Sequence, residues 1–581
     1  MNWHRLFPFL NWQRPGAQAL RKDALAGLSV GLVLVPQALA YATLAGMPPE
    51  TGLYAALIPS IIGVLWGSSP LLAVGPVALT SLLTFASLQP LATPGSAEWV
   101  QLAIWLAIYS GLIQFALGAL KLGAVANFVS FPVISGFINA AALIIIFSQL
   151  PALLGLPGHL DLGWFGRAAA TLRESPAQMA ATAAFGLGAL VLLMLQKRLA
   201  PRLPGVLIIC LVGIGISAAT GFAHIGGAVA GEVPGGLPPI RLPPSIGFEQ
   251  HRALLPAAII IALISFTEAM ASCRTLARGR NERWDENQEL IGQGLAKIAS
   301  GISGAFPVSG SFSRSALNAY VGATSAWSTL FSAACVTVVL AWLTGYLFHL
   351  PKAVLAAIII VPVLSLIDVQ VFKKLWIASR EDGIIAATTF AVTLASVPYL
   401  HWGVFVGFFI SLLFFLYRRA RPRIVELGAH PDGTLRSRDV FGLPPLRDDV
   451  FAVRMDAAIS YISAPVLERF ILDRVSAKRG LHTVLVSCAP VNDIDGTGLE
   501  MLQQLRRNLG GQGIELRLAG LRKQVSDALE RTGIAAEFGK AAFYPTEQAA
   551  IAALAPKKPD PAPEPATEPA QDAPASPYPL A

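Results

Sequence analysis

The chain has 581 residues, 54% of them hydrophobic and 13% charged, with a formal net charge of +8. That is about half the charged fraction of a soluble domain, which excludes a soluble enzyme, a disordered scaffold and a nucleic-acid-binding domain and leaves a polytopic protein in a lipid bilayer. The modest positive balance fits cytoplasmic Lys and Arg better than a polyanionic partner.

Residues 1–21 carry Trp3, Arg5, Trp12 and Arg14 and read as a cytoplasmic interfacial lead-in without a cleavable signal. Residues 22–420 are apolar with short polar breaks. About fourteen hydrophobic segments lie along them, including Val206–Ala219, Leu254–Phe266 and Ser328–Tyr346. Two of these segments, 74–88 and 310–322, are too short to span. Short Gly/Pro-interrupted segments at matching places in two halves point to a transport site. Repeats near 22–222 and 252–420, of seven helices each, make each short segment the third of its half. Seven is odd, so the repeats would be inverted. Basic residues cluster at Arg21/Lys22, Lys197/Arg198/Arg202, Arg274–Arg283, Lys373–Arg380 and Arg418–Arg423. The loops between, such as 223–250, carry few, and this asymmetry places both termini in the cytoplasm.

Beyond Arg423 the pattern changes to short strands alternating with helices. Phe451–Met455, Thr483–Ser487 and Glu515–Ala519 read as strands; Ala464–Ala477, Gly498–Leu509 and Lys523–Arg531 read as helices. This gives a small α/β domain over 440–555. The Pro-rich end, 556–581, reads as disordered.

The chemistry concentrates at the two short segments. Val74-Gly75-Pro76-Val77-Ala78 opens the first, with Pro placed for a first helical turn. Pro307-Val308-Ser309-Gly310-Ser311-Phe312-Ser313-Arg314 opens the second. Helix starts inside the membrane present free N–H groups and a positive dipole end. Ser311 and Ser313 can donate to an oxyanion, and Arg314 adds a full charge. Two facing N-termini would form an anion site. The alternative is a pair of ordinary kinks with Arg314 in a structural ion pair. Glu268 lies in the otherwise apolar Ile259–Ser272, where a carboxylate is a functional candidate by default. It could carry a coupling proton, pair with Arg314, or do both. Gln37 and Tyr41, one turn apart, share a helix face, although Tyr41 could equally anchor an interface. Cys210, Cys273, Cys335 and Cys488 form neither a disulfide framework nor a metal site. No cofactor, P-loop or nucleophile–base constellation is found, so no enzyme is expected.

The run Asp23-Ala24-Leu25-Ala26-Gly27, Val35 to Ala42, Met47-Pro48-Pro49, Gly52-Leu53-Tyr54 and Pro59 resembles the first two helices of the sulfate permease (SulP) family. Gly75-Pro76-Val77 is similar to its third helix, and Gly310 to Ser315 to its tenth. The resemblance covers roughly 20–555. It implies a fourteen-helix inverted repeat with core and gate domains. It places the anion between helices three and ten, contacted by Gln37, Tyr41, Val77, Ala78, Ser311, Ser313 and Arg314. Glu268 matches an acidic position linked to cation coupling. Glu50-Thr51 departs from the family pattern and is read as a loop. Val491 to Leu499 resembles the strand-to-helix turn of a STAS domain, which in the family supports dimerisation and regulation. Related anti-sigma-factor antagonists carry a phosphorylatable hydroxyl there. Gly496 takes one of the usual hydroxyl positions and leaves Thr497, with helix capping by Asp495 and Thr497 as the plainer reading.

A secondary active anion transporter at the cell (inner) membrane follows. Proton-coupled sulfate uptake by alternating access leads; sodium-coupled bicarbonate and proton-coupled dicarboxylate are alternatives of the same kind. A different class is a membrane-anchored anion sensor with the STAS domain as output.

Overall fold

The computed structural model describes residues 7–12, 14–123, 129–156, 166, 173–199, 204–280 and 282–554. Trp3, Arg5, Arg202 and the Pro-rich end lie outside them. The chain divides into two units at Leu412/Leu413.

The first unit is helical. Its helices are α1 (Ala17–Leu44), α2 (Pro49–Trp66), α3 (Ala78–Leu88), α4 (Ala97–Ala119), α5 (Phe131–Leu154), α6 (Pro176–Leu199), α7 (Gly205–Thr220) and α8 (Phe248–Arg280). After them come α9 (Glu286–Ile302), α10 (Phe312–Val321), α11 (Trp327–Val338), α12 (Lys352–Leu364), α13 (Val369–Ala378), α14 (Arg380–Ala395) and α15 (His401–Ala420), which runs across the division. Among the described residues, eight helical stretches are long and apolar enough to cross a membrane. The short α13, a helix beyond the expected segments, buries only Val371 and Leu375.

Glu50 and Thr51 are not in a loop. Pro49 starts α2, its fixed φ suiting a first turn, and Thr51 Oγ1 donates to the Pro48 carbonyl at 2.7 Å. Phe7 and Phe9 pack on Trp66 with centroids 6.0 and 5.6 Å away, and Trp12 packs on Trp327 at 6.4 Å.

Small residues let these helices touch backbone to backbone, as packing inside a bilayer requires. A Cβ on Gly52 would lie 2.0 Å from the Ala38 carbonyl oxygen, and one on Gly27 2.2 Å from that of Ser328. Helices α4 and α9 meet along Gly111, Gly118, Gly294 and Gly301, each of which would clash with the facing backbone if given a side chain. Hydroxyls inside the unit fold back on their own helices: Thr84, Ser110, Thr389 and Thr393 donate to carbonyls four residues earlier. This satisfies the polar group where no water is at hand.

The second unit is a six-stranded sheet: β3 (Ile424–Ala429), β4 (Leu435–Ser437), β5 (Val450–Met455), β6 (Thr483–Ser487), β7 (Glu515–Ala519) and β8 (Phe543–Tyr544), in the order β4-β3-β5-β6-β7-β8. Strands β5 to β8 are parallel, while β3 runs antiparallel to both neighbours. The sheet therefore begins at Ile424, ahead of the residue 440 read from the sequence. Alternate side chains serve the two faces. Phe451, Val453, Val484, Val486, Leu516 and Leu518 pack with α16 (Ala464–Ala477), α17 (Gly496–Gly510) and α18 (Lys523–Arg531). Ala452, Leu485 and Ala519 pack on the other face with Ala550 and Leu554 of α19 (Glu547–Leu554). Burial in this core pushes the Cys488 thiol up to about 12, so it behaves as a small apolar group.

Asp495 caps α17, its Oδ1 accepting from Gly498 N and its Oδ2 from Tyr461 N, both at 2.8 Å. Thr497 is exposed and takes no part in the cap. Asp495→Ala removes both bonds and should destabilise this unit by about 2 kcal/mol. Hydrogen exchange on the full chain should show peptides around 458–463 and 495–500 losing protection; unchanged protection there would contradict the assignment.

Candidate functional site

The site is built by two chain segments that meet head-on. Pro76 holds Gly75, the residue before it, extended. Two three-residue strands are present, β1 (Ala73–Gly75) and β2 (Ser309–Ser311). They pair antiparallel, Ala73 with Ser311, Val74 with Gly310 and Gly75 with Ser309. Helices α3 and α10 start directly beyond them. At 11 and 10 residues, each is roughly 16 Å long, half the bilayer core of about 30 Å. Each is also third in its series, counting from α1 and from α8.

The crossing is held from several sides. Ser60 Oγ of α2 donates to the Val74 carbonyl at 2.6 Å. Ala73 N donates to Ser315 Oγ at 2.9 Å, and Ser309 Oγ to the Ser265 carbonyl at 2.9 Å. Gly310 admits no side chain, since a Cβ there would lie 2.9 Å from Leu72 and 3.0 Å from Ala269.

The two helix starts differ in their caps. Val77 precedes α3 in an extended conformation, and no side chain caps the helix. Ala78 opens it, and both residues are buried. The first-turn amides of α3 are thus left for a ligand. At α10, Ser311 Oγ accepts from Arg314 N at a long 3.4 Å and lies 3.4 Å from Ser313 Oγ. Ser311 is buried while Phe312 and Ser313 are exposed, so the site is open on that side.

Arg314 is 2% exposed. Its Nη1 reaches Gln37 Oε1 at 3.5 Å, while Nε and Nη2 have no hydrogen-bond partner. Nη2 lies against Gly75, 3.3 Å from where a Cβ would stand. Tyr41 and Glu268 are the groups it acts on electrostatically. No ion pair within 4 Å joins Arg314 to Glu268, so the guanidinium keeps donors available for a ligand. Glu268 is half-buried, and its shielded Oε2 accepts no hydrogen bond.

Two fully buried carboxylates show what saturation looks like in this unit. Asp23 Oδ1 accepts from Thr324 N, Thr324 Oγ1 and Ser325 N, and Oδ2 accepts from Ser325 Oγ. Glu289 accepts from Ser68 N, Ser69 N and Gln293 Nε2. Arg314 is left short of partners where these are not, and Glu268 keeps one oxygen, Oε2, without a hydrogen bond. A buried charge without partners is costly, and a bound anion would supply what Arg314 lacks.

The structure thus gathers Gln37, Tyr41, Val77, Ala78, Ser311, Ser313, Arg314 and Glu268 around one crossing; Thr497 belongs to the other unit. The sequence reading missed β1–β2, Ser60 and Ser315, whose hydroxyls brace the crossing, and Lys297. This lysine is completely buried, and its Nζ donates to Gln114 Oε1 and Ser265 Oγ, each at 2.7 Å. It shares a face of α9 with Glu289, Gln293 and Ser300, so the sequence alone carries no signal that it is enclosed.

A membrane protein with two half-helices crossing at their N-termini over a buried, unsatisfied arginine belongs to the class of anion-binding membrane carriers. More particularly, the chain belongs to the sulfate permease family, whose model matches residues 20–389, and residues 445–550 match the STAS domain. It is 32% identical over 569 residues to the chloroplastic sulfate transporter 4.1 of Arabidopsis thaliana, covering 93% of this chain and 81% of that one. It is 33% identical over 540 residues to a probable sulfate transporter of Mycobacterium tuberculosis, covering 92% and 95%. In fold it is similar to the murine Slc26a9 anion transporter in the inward-facing state, with TM-score 0.84, 23% identity and 94% of each chain covered. The protein is therefore a multi-pass membrane anion transporter of this family with a C-terminal STAS domain.

Proposed function

We propose that the protein takes up sulfate with a proton, by alternating access, the anion lying between the first turns of α3 and α10. The observation that carries this reading is the buried Arg314 guanidinium with Nε and Nη2 unpartnered at two meeting helix starts. A tetrahedral dianion offers acceptors to that guanidinium, to Ser311 and Ser313, and to the amides of Ala78 and its neighbours. Gln37 and Tyr41 form the facing wall. Glu268, with Oε2 unpartnered and acted on by two cations, Arg314 and Lys297, is the proton carrier. The sulfate transporters among its relatives support sulfate over other oxyanions.

The distribution of the basic clusters supports an orientation with both termini and the STAS domain in the cytoplasm and the protein in the cell's inner membrane. The STAS domain supports a homodimer. Thr497, exposed beside the Asp495 cap, is the position for a regulatory phosphate, which a helix N-terminus would hold.

The test is radiolabelled sulfate uptake into proteoliposomes with and without an inward proton gradient, for the parent and Glu268→Gln. The parent should accumulate sulfate only with the gradient. The variant should bind sulfate yet lose at least tenfold of gradient-driven uptake, roughly the 1.4 kcal/mol that one decade represents. Bicarbonate or succinate moving in place of sulfate would overturn the substrate, and binding without flux of any anion would make the protein a sensor.

A further inference from the structure

Lys297 of α9 acts on Glu268 through its charge but makes its hydrogen bonds away from Gln37, Ser311, Ser313 and Arg314. It is fully buried, and both of its hydrogen-bond acceptors, Gln114 Oε1 and Ser265 Oγ, are neutral. A neutral donor would satisfy these two oxygens without the desolvation that an ammonium group suffers. What the lysine adds beyond such a donor is its charge.

That charge is wired to the crossing. Ser265, which accepts from Lys297 through its hydroxyl, accepts from Ser309 through its carbonyl. Ser309 pairs with Gly75 across β1–β2, and Gly75 lies against Arg314 Nη2. Glu268 follows Ser265 by one turn on α8 and feels both Arg314 and Lys297. The charged groups facing the crossing are thus Glu268 from α8, Lys297 from α9 and Arg314 from α10, with the Tyr41 hydroxyl from α1.

We propose that Lys297 fits the site to a doubly charged anion, acting as a specificity-determining residue without touching the substrate. Lys297 and Arg314 supply two positive charges. With Glu268 ionised the empty site holds one net positive charge; with Glu268 protonated it holds two. One sulfate and one proton therefore leave the loaded site neutral, the condition a low-dielectric interior favours most. Without Lys297 the same proton leaves a single positive charge, which a monovalent anion neutralises and a dianion overshoots. This deepens the proton–sulfate reading above and rests on it.

The experiment compares sulfate and chloride uptake by full-length parent, Lys297→Gln and Lys297→Met in proteoliposomes, with Gln114→Ala as a variant that loosens the lysine but keeps its charge. Lys297→Gln should lower sulfate uptake at least tenfold while chloride uptake holds or rises, so the sulfate-to-chloride ratio falls by more than tenfold. Lys297→Met, free of the buried charge, should purify as a monodisperse protein and show the same inversion. Gln114→Ala should lower both anions together and keep the ratio. A ratio unchanged in both lysine variants overturns the proposal, as does failure of both to fold, which would make the lysine structural. A parent that moves no divalent anion overturns the earlier reading instead, and is recognised before any variant is compared.

Discussion

Arg314→Met should abolish sulfate binding while leaving the protein folded. The guanidinium has one long contact, to Gln37 at 3.5 Å, and two unpartnered nitrogens, so its removal sacrifices little that holds the fold. Arg314 is in no ion pair within 4 Å among the described residues, so its removal strands no ion-paired partner. A dianion, by contrast, loses charge-assisted hydrogen bonds from Nε and Nη2. We expect sulfate affinity to fall at least a hundredfold, about 3 kcal/mol. The thermal midpoint in sulfate-free buffer should be no lower than the parent's. Sulfate should raise the midpoint of the parent, because a ligand that binds only the folded state stabilises it, and should not raise that of the variant. A variant that unfolds at once would show that Arg314 is structural.

Gly294→Leu should leave no folded transporter. A Cβ at Gly294 would lie 2.5 Å from Phe115 N and 2.7 Å from the Gly111 carbonyl oxygen, both main-chain atoms of α4 that cannot swing aside. Helix α9 also carries Lys297 and Glu289, so parting α4 from α9 would break the Lys297–Gln114 bond and loosen the crossing. Overpacking of this kind against backbone costs on the order of 4 kcal/mol or more. Gly188→Leu on α6 is the matched change at an exposed position, with nothing within 4 Å of its Cβ, and should be tolerated. The yield of monodisperse detergent-extracted protein compares the two; equal yields would contradict the packing account.

What was legible in the chain followed from patterns one element can carry alone. Glycine and proline beside Val74 and Val308 mark breaks in apolar sequence, so both half-helices are visible before any contact is known. Strands β5, β6 and β7 announce themselves by Val- and Leu-rich runs between turn residues, and the structure sets them within a residue of the expected bounds. Strands β3 and β4 are not visible in that way. Ile424–Ala429 follows directly on a basic cluster and pairs by antiparallel contacts whose partners lie about six to thirty residues on.

At the site, residue type suffices for Arg314 and Glu268, because charge in an apolar stretch stands out. Their relation does not follow from type. An ion pair and an anion site ask for the same two residues, and only the unmet hydrogen bonds separate the two readings. Lys297 escapes notice for a related reason: Glu286–Ile302 carries polar residues on one face, so a lysine within it reads as exposed until α4 and α8 are seen to enclose it. Glu50 was misplaced because Pro48 and Pro49 read as a break, whereas Pro49 is the first residue of a helix.

The central claim is that an oxyanion sits where α3 and α10 meet. Selenate, a tetrahedral dianion with a strong anomalous signal, tests it directly in crystals of the full-length protein. A selenium peak should lie within hydrogen-bonding reach of the Arg314 guanidinium and the first-turn amides of α3, and should vanish in Arg314→Met. A peak elsewhere in the membrane unit, or none at saturating selenate, would contradict the account.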